Sequence, residues 1–343
     1  MTPHKVKILF SKLQEAMANK ALFATALCDD IDKDAIIRMC APFGDLTGGE
    51  AWFDQCYAPL FTAFPDLSRH DMILLTGQSQ TGDVWLASMG NYMGSFFAPF
   101  LAIPPTGQLC HMRYHEFYRF ENDKIVEIQA IWDIPEVMMQ AKAWPLAPQL
   151  GAFLCTPAPM TQDGLWIEGK GDKAYHHVIN MLQDLCRHPQ EGGPQVMKLE
   201  QYWHPDFNWY GPAGIGTARG VAGFRHWHQI PFLHAMPDRK LDEKAALHSH
   251  WLAAHDYVAE TGWPNMRLTL SGDGWLGIPP VDKEICLRSL DFWRLDKGKI
   301  RENWVLVDLL DMYGQIGVDV FARLREFNKA RVQGVIGEPL FTG

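Results

Sequence analysis

In the second half of the chain, apolar residues first recur at helical spacing and later alternate along the sequence. Helices are predicted over 173–188, 197–203, 221–233 and 309–328. Strands are predicted at 207–210, 241–250, 252–263, 284–295 and 299–308. Because no helix interrupts the final run of four strands, the pattern indicates an α+β fold with helices on one face of a curved antiparallel sheet. It argues against a doubly wound parallel sheet.

Part of this pattern occurs twice in the chain. Residues Glu116–Gln140 align without gaps on Asp291–Gln315, and each copy is predicted to form a strand, a tight turn, a strand and a helix. Seven aligned pairs are identical: Phe117/Phe292, Arg119/Arg294, Lys124/Lys299, Ile125/Ile300, Glu127/Glu302, Asp133/Asp308 and Gln140/Gln315.

Further matches precede these segments in the same order along both halves. Residues 48–61 match 220–233, and residues 101–108 match 276–283. The sequence therefore predicts two homologous domains, 1–150 and 173–343, joined by a linker over 151–172. The linker is rich in proline, glycine and small residues.

Composition limits the partners and the compartment. The formal net charge is -9 without a long basic run, which weighs against nucleic acid binding. The seven cysteines are widely spaced and contain no CxxC pair, which indicates reduced thiols rather than disulfides or a zinc site. Charges interrupt every apolar run of the N-terminus, and the longest apolar stretch, 96–105, is too short to span a bilayer. We therefore expect a soluble, cytoplasmic protein with no membrane partner.

Several repeated segments resemble SnoaL-like polyketide cyclases of the nuclear-transport-factor-2-like superfamily. The first half carries IPPTGQ at 103–108 and NDKIVEIQAIWD at 122–133, and the second carries LGIPPVDK at 276–283 and KGKIRENWVLVD at 297–308. The resemblance implies two tandem cone-shaped domains, each a curved antiparallel sheet covered by helices. It also implies an intramolecular aldol reaction or a related proton transfer, without a metal or cofactor.

In the resembling family an acid at the end of the last strand performs the acid–base work. This implies a catalytic role for Asp308 and for its equivalent Asp133. A carboxylate in an apolar cavity suits the task because desolvation raises its pKa. An Asp at this place can instead cap the helix that follows, and the sequence leaves both alternatives open.

Tyr210 is a second candidate, since its hydroxyl could donate a hydrogen bond to a developing oxyanion. The alternative is a strand tyrosine whose hydroxyl lies in water. The first domain has Cys40 at the aligned position, so the second domain is the better candidate for an active site.

His228 is the third candidate. It lies two residues from His226 on a predicted helix, so the two rings point to different faces. Because His228 is four residues after Phe224 and four before Phe232, we expect it to face the apolar side, as a pocket residue or as a core histidine.

His248 and His250 have a spacing compatible with a metal on a strand, but two histidines alone are weak evidence. No P-loop, GxGxxG, HExxH or GxSxG motif occurs. We predict neither a metal nor a cofactor.

The sequence favours an enzyme that performs aldol or enolisation chemistry on a small apolar carbonyl compound in the second domain's pocket. One alternative is a non-catalytic small-molecule binder, whose pocket would contain no acid at its floor. Another is a structural pair in which one or both cavities are plugged. The two sheets are expected to pack on each other as an intrachain domain pair, and further homo-oligomerisation is left open.

Overall fold

The computed structural model describes residues 1–238 and 249–329, and its elements repeat one order twice. The first domain contains α1 Pro3–Ala16, α2 Lys20–Asp30, β1 Ile31–Met39, β2 Asp45–Thr47, α3 Gly48–Trp52, α4 Ala58–Ala63, β3 Ser68–Gln78, β4 Val84–Ser95, β5 Leu109–Glu121, β6 Lys124–Trp132 and α5 Ile134–Gln140. The second contains α6 Asp172–Leu185, α7 Leu199–Tyr202, β7 Trp203–Tyr210, β8 Thr217–Arg219, α8 Gly220–Phe224, α9 Ile230–Ala235, β9 Trp251–Ala254, β10 Tyr257–Leu270, β11 Lys283–Asp296, β12 Lys299–Val307, α10 Leu309–Gln315 and α11 Val320–Phe327. One π-helical turn joins α3 to α4 and another joins α8 to α9, at Phe53–Tyr57 and Arg225–Gln229.

Each domain has one six-stranded sheet, and the two strand orders are equivalent. The orders are β2-β1-β6-β5-β4-β3 and β8-β7-β12-β11-β10-β9. One neighbouring pair in each sheet, β1 with β6 and β7 with β12, is parallel, and the other pairs are antiparallel. The α+β class and the tandem cone domains expected from the sequence are therefore confirmed.

Two predicted elements are divided in the structure. The strand predicted over 252–263 turns back at His255, whose φ of 51° starts a hairpin between β9 and β10. The helix predicted over 309–328 breaks at Gly317, which has a φ of 81°, and Asp319 then caps α11 by accepting from the Ala322 N–H at 2.8 Å. The strand predicted over 241–250 lies largely outside the described residues.

Identical residues of the repeat make equivalent contacts in the two domains. Gln140 accepts from the His111 N–H at 3.0 Å and donates to the carbonyl of the same residue at 2.6 Å. Gln315 repeats this exchange with Cys286, at 2.9 and 2.7 Å. These glutamines attach the helix that follows each sheet to the strand beside it, so their identity has a structural explanation.

The repeated Arg–Glu pair is also structural. Arg119 contacts Glu127 across β5 and β6 at 3.2 Å, and Arg294 contacts Glu302 across β11 and β12 at 2.5 Å. In the second domain the Glu302 carboxylate also accepts from the Met160 N–H at 3.2 Å, which attaches the connecting segment to the sheet.

The outer faces of the two sheets pack against each other. Phe117 and Phe292, which are equivalent residues of the repeat, meet with ring centroids 5.3 Å apart. His115 lies beside them, and its Nδ1 is 2.6 Å from the carbonyl oxygen of Leu290. Burial lowers the pKa of His115 well below its usual value, so the ring is neutral and Nδ1–H donates to that carbonyl.

Arg113 is the most deeply buried cation of this interface. Its guanidinium leaves β5 of the first domain and donates to three carbonyl oxygens of the second, those of Tyr210 at 2.9 Å, Gly211 at 2.7 Å and Val305 at 3.1 Å. Its charge is balanced by Asp133, 3.6 Å away. A buried cation whose terminal nitrogens donate across the interface in this way holds the domains in one relative orientation.

Residues 141–171, which connect the domains, form hydrogen bonds with both sheets. Ile167 extends the edge of the first sheet by donating its N–H to the Leu74 carbonyl at 2.8 Å. Ala152 pairs with Thr217 in the second domain at 2.9 Å in both directions. The indole N–H of Trp304 donates to the Pro157 carbonyl at 3.1 Å. Throughout the described part of the chain, no helix is long and apolar enough to cross a membrane.

Replacement of Arg113 by Met should lower the free energy of unfolding by about 3–5 kcal/mol, because three carbonyls and Asp133 lose their buried cationic partner. Arg119→Met is the matched control, since it makes the same change six residues along β5 at a partly exposed ion pair. It should cost about 1 kcal/mol or less. Urea unfolding followed by tryptophan fluorescence measures both, and equal losses would contradict the role assigned to Arg113.

Candidate functional site

The inner face of the second sheet and the helices that cover it enclose a cavity of about 120 Å³. Six aromatic rings line it: Trp203, Trp209, Phe224, Phe232, Trp275 and Trp293. Its floor is formed by alternate residues of β11 and β12, because successive side chains of a strand point to opposite faces. Ser289, Asp291 and Asn303 make that floor polar, α6 contributes an apolar wall, and the π-helical turn contributes His228 and Gln229.

Asp291 is the carboxylate of this cavity. Its side chain is buried, and Oδ2 accepts a hydrogen bond from the Ser289 hydroxyl at 3.0 Å. Ser289 in turn accepts from the Asn265 amide at 2.6 Å. The other oxygen, Oδ1, has no partner among the described residues. Burial raises the pKa of Asp291 to about 7, and the Ser289 hydrogen bond only partly opposes this.

Glu260 lies directly opposite Asp291 in the β10–β11 register. Burial, followed by the neighbouring Asp291 charge, raises the pKa of Glu260 well above its usual value. Side chains of Ser249 and Asn265 hydrogen-bond to it. Glu260 therefore keeps its proton at neutral pH, while Asp291 gains or loses its proton as the pH changes near neutrality.

His228 lies on the π-helical turn and packs against the sheet at β7. Its ring stacks on Trp209 with centroids 4.1 Å apart and an interplanar angle of 15°. Phe224 and Phe232 flank it at 5.3 and 5.6 Å. His226 is exposed. A half-buried imidazole and a carboxylate with a raised pKa thus line one aromatic cavity.

The structure does not place Asp308 in this cavity, which corrects the expected arrangement. Asp308 caps α10 by accepting from the Asp311 N–H at 3.1 Å, and its other oxygen accepts from the Ala41 N–H of the first domain at 3.0 Å. Arg288 lies 3.5 Å from the same carboxylate. Burial raises the pKa of Asp308 to about 7, but the group belongs to the domain interface. The chain turns into α10 at this point, which directs the side chain away from the cone.

Asp133 occupies the corresponding place on the other side of the interface. It accepts from the Ala213 N–H of the second domain at 2.8 Å, and burial raises its pKa to about 7. Asp133 and Asp308 both border a space of about 10 Å³ between the domains, which has the volume of about one water molecule. Each aspartate therefore connects its own helix start to the backbone of the other domain.

Tyr210 is also outside the cavity. Its neighbour Trp209 points inward, so alternation along β7 directs Tyr210 to the outer face, where it stacks on Trp304 with centroids 5.5 Å apart. Its hydroxyl accepts from the Asn208 amide at 3.1 Å. Of the four residues predicted from the sequence, only His228 lines the cavity.

The inner face of the first domain contains no comparable cavity. Glu116, the equivalent of Asp291, forms an ion pair with Arg69 at 2.6 Å. It also accepts hydrogen bonds from the Tyr92 hydroxyl and the Trp132 indole, both at 2.8 Å, and from the Tyr118 hydroxyl. Nearby side chains leave a space of only about 10 Å³. The interior of the first domain is thus occupied by an ion pair and by the side chains that hydrogen-bond to it.

Asp291 is the site residue that the sequence analysis missed, although a signal for it was present. Positions 287, 289, 291 and 293 of the predicted strand lie on one face, and two of them are Leu287 and Trp293. A carboxylate on the otherwise apolar face of a central strand indicates either a buried ion pair or a functional acid. The acid at the strand end had been preferred because of the family resemblance.

The histidines considered for a metal are separated or undescribed. His250 packs against Trp85 of the first domain, with ring centroids 4.7 Å apart, whereas His255 lies in the turn between β9 and β10. His248 lies outside the described residues. Within residues 1–238 and 249–329, no group of three or more His, Cys, Asp or Glu side chains is arranged to hold a metal ion.

Comparison with known proteins gives a family match. The model of the SnoaL-like polyketide cyclase family matches residues 13–141 and 193–316, which together make up well over half of the chain. No curated protein sequence matches the chain significantly.

Solved structures of single domains are similar to parts of the chain. A proposed polyketide cyclase, IdmH of Streptomyces antibioticus, is 21% identical and has a TM-score of 0.35, with 41% of this chain and 99% of that chain covered. A proposed hydroxylase, AclR of Streptomyces galilaeus, is 15% identical with a TM-score of 0.35, over 41% and 87% of the two chains. A SnoaL-like protein of Jannaschia sp. CCS1 is 19% identical with a TM-score of 0.33, over 40% and 88%.

The raised pKa of Asp291 predicts a specific dependence of stability on pH. The folded-state value of about 7 lies above the roughly 3.9 of an unfolded Asp, so between these values the folded protein retains a proton that the unfolded chain has lost. The Asp291 contribution therefore becomes more destabilising as the pH rises from about 4 to 7. Asp291→Asn should be more stable than the wild type by about 1–3 kcal/mol at pH 8, with little difference at pH 4.

Glu116→Gln is the matched control at the equivalent position of the first domain. It removes one of the two buried carboxylates paired with Arg69, the other being Asp71, and should destabilise the protein by about 3 kcal/mol at pH 8. Urea unfolding at pH 4, 6 and 8 measures both differences. Destabilisation by Asp291→Asn at pH 8 would show that Asp291 is not a strained, desolvated carboxylate.

Proposed function

Because the chain belongs to the SnoaL-like polyketide cyclase family, we propose that the cavity of the second domain is the active site of an enzyme that performs acid–base chemistry on an apolar carbonyl compound. The observation that carries the proposal is the buried Asp291 carboxylate, which lines an aromatic cavity and has its pKa raised to about 7. A general base works best when its pKa lies near the operating pH.

The first step is removal of a proton from the carbon beside the substrate carbonyl. The C–H bond breaks, the proton moves to the Asp291 carboxylate, and the electron pair forms the enolate carbon–carbon double bond while negative charge gathers on the carbonyl oxygen. The Ser289 hydroxyl holds the carboxylate in place from the side of Oδ2. This step needs no co-reactant.

The enolate can then react in two ways, and in each of them Asp291 gives its proton back to the substrate. In an aldol ring closure, the enolate carbon bonds to a second carbonyl carbon of the same molecule, and the resulting alkoxide takes up a proton. In an isomerisation of a β,γ-unsaturated ketone, the enolate is a conjugated dienolate, and its γ carbon takes up the proton instead. His228 is the second titratable group of the cavity, and we assign it hydrogen bonding to the oxygen that carries the developing charge.

The contrast with the first domain supports this assignment. The equivalent acid there, Glu116, is paired with Arg69 and surrounded by hydroxyl and indole donors, and the nearby space is only about 10 Å³. We assign the first domain a structural role. A non-catalytic binding protein was expected to have a pocket without an acid at its floor, and Asp291 argues against that alternative.

Exchange of α-hydrogens for deuterium in an enolisable ketone, followed by NMR in D2O, tests the proposal without knowledge of the natural substrate. Wild-type protein should accelerate exchange, and kcat/KM should rise with pH through a group of pKa about 7. Asp291→Asn should reduce the rate by about a hundredfold or more.

Asp308→Ala is the control, since it removes a carboxylate of similar pKa that lies at the domain interface. It should lower stability by about 1–2 kcal/mol through loss of a helix cap but leave the exchange rate within a fewfold of the wild type. Loss of exchange in Asp308→Ala together with full exchange in Asp291→Asn would reverse the assignment.

A further inference from the structure

The volume of the second-domain cavity restricts what it can hold. An apolar protein cavity of about 150 Å³ accommodates one benzene ring. Pockets for larger ligands have volumes on the order of 300 Å³ and above. At about 120 Å³, this cavity matches a single six-membered ring and is far too small for three or four fused rings.

The walls of the cavity are supported by other rings. Trp203 packs on Phe207 at 4.4 Å and on Phe224 at 5.5 Å, and Phe232 meets the face of Trp275 at 5.5 Å and an angle of 75°. Close-packed aromatic contacts of this kind resist expansion, because outward movement of one ring must displace the next. A larger ligand would therefore have to break contacts that the structure has already formed.

The charge of the lining restricts the ligand further. No lysine or arginine is among the described residues that line the cavity, and Asp291 is its carboxylate. An anionic ligand would meet this carboxylate in a site of low polarity without a compensating cation, which is unfavourable. The ligand is therefore neutral.

The cavity is also divided into a polar and an apolar part. Ser289, Asp291 and Asn303 lie together on the sheet floor, whereas Met181 of α6 and Phe232 of α9 contribute to the apolar walls. A matching ligand has one polar edge and an apolar body.

We propose that the substrate of this site is a neutral carbonyl compound with a single six-membered ring, bound with its polar edge on the floor formed by Ser289, Asp291 and Asn303. This inference rests on the proposed function for its location, but it makes a separate statement about size and charge. It also requires that any multi-ring product arises elsewhere, since a fused system does not fit between these walls.

A series of ketones of increasing size tests the inference. Cyclohexanone, 2-tetralone and anthrone contain one, two and three rings, and cyclohexanecarboxylate is a one-ring anion. Calorimetric titration and α-deuterium exchange should detect cyclohexanone with wild-type protein, with at least tenfold weaker binding of 2-tetralone and of the carboxylate and none of anthrone.

Met181→Ala should enlarge the cavity and improve the affinity for 2-tetralone by about five- to tenfold, because it removes a side chain from the wall. Met312→Ala is the matched control, since both methionines are 1% exposed but Met312 of α10 does not line the cavity. Trp275→Phe is a milder enlargement that preserves an aromatic wall, and retained cyclohexanone binding shows that each variant is folded.

The outcomes separate this inference from the proposed function. Binding and Asp291-dependent exchange of anthrone by the wild type would overturn the one-ring limit while supporting the proposed chemistry. Selective binding of cyclohexanone, with exchange equal in wild type and Asp291→Asn, would support the size limit and overturn the chemistry. Absence of binding by every ketone would overturn both.

Discussion

A buried guanidinium between two sheets is the interaction on which the remaining structure depends. Arg113 is 1% exposed, and both of its terminal nitrogens donate to carbonyl oxygens that belong to the other domain. Asp133 and Asp308 likewise accept from backbone N–H groups across the interface. Separation of the domains would remove these hydrogen-bond partners from one cation and two carboxyl groups. Each domain therefore depends on the other to satisfy its interface groups.

Equivalent acidic positions in the two domains have different electrostatic surroundings. Glu116 and Asp291 occupy the same place in equivalent strands, opposite Ala130 and Val305. In the first domain, Arg69 supplies the countercharge, and the interior is filled. In the second domain Glu260 lies opposite Asp291 on the adjacent strand, and burial raises the pKa of both acids. The same fold thus contains a buried ion pair in one domain and a carboxyl group with a raised pKa in the other.

The repeat made the fold predictable from the sequence, but it did not reveal the site. The identical pairs proved to be structural: Gln140 and Gln315 attach helices to strands, and Phe117 meets Phe292 across the interface. Helical spacing was sufficient to place His228 on an apolar face, and strand alternation contained a signal for Asp291.

Alternation places Asp308 on the face opposite Val305 and Val307, which line the cavity, but it could not reveal that the carboxylate meets Ala41, 267 residues distant. The pairing of Arg69 with Glu116 is also non-local, since the two residues come from different strands. Sequence patterns describe the face of a strand well, but they carry no direct information about which distant group neutralises a charge.

The covalent connection through residues 141–171 has a consequence for how such a protein can change. When two identical chains form a symmetric pair, every substitution appears in both copies, so a mutation that plugs one cavity plugs the other. Here each half is encoded separately, and Arg69 could be acquired opposite Glu116 without any effect on the residues around Asp291. Fusion therefore lets one half accumulate stabilising substitutions while the other half retains a carboxylate whose burial lowers stability. Substitutions that affect stability and substitutions that affect the cavity can then be selected independently.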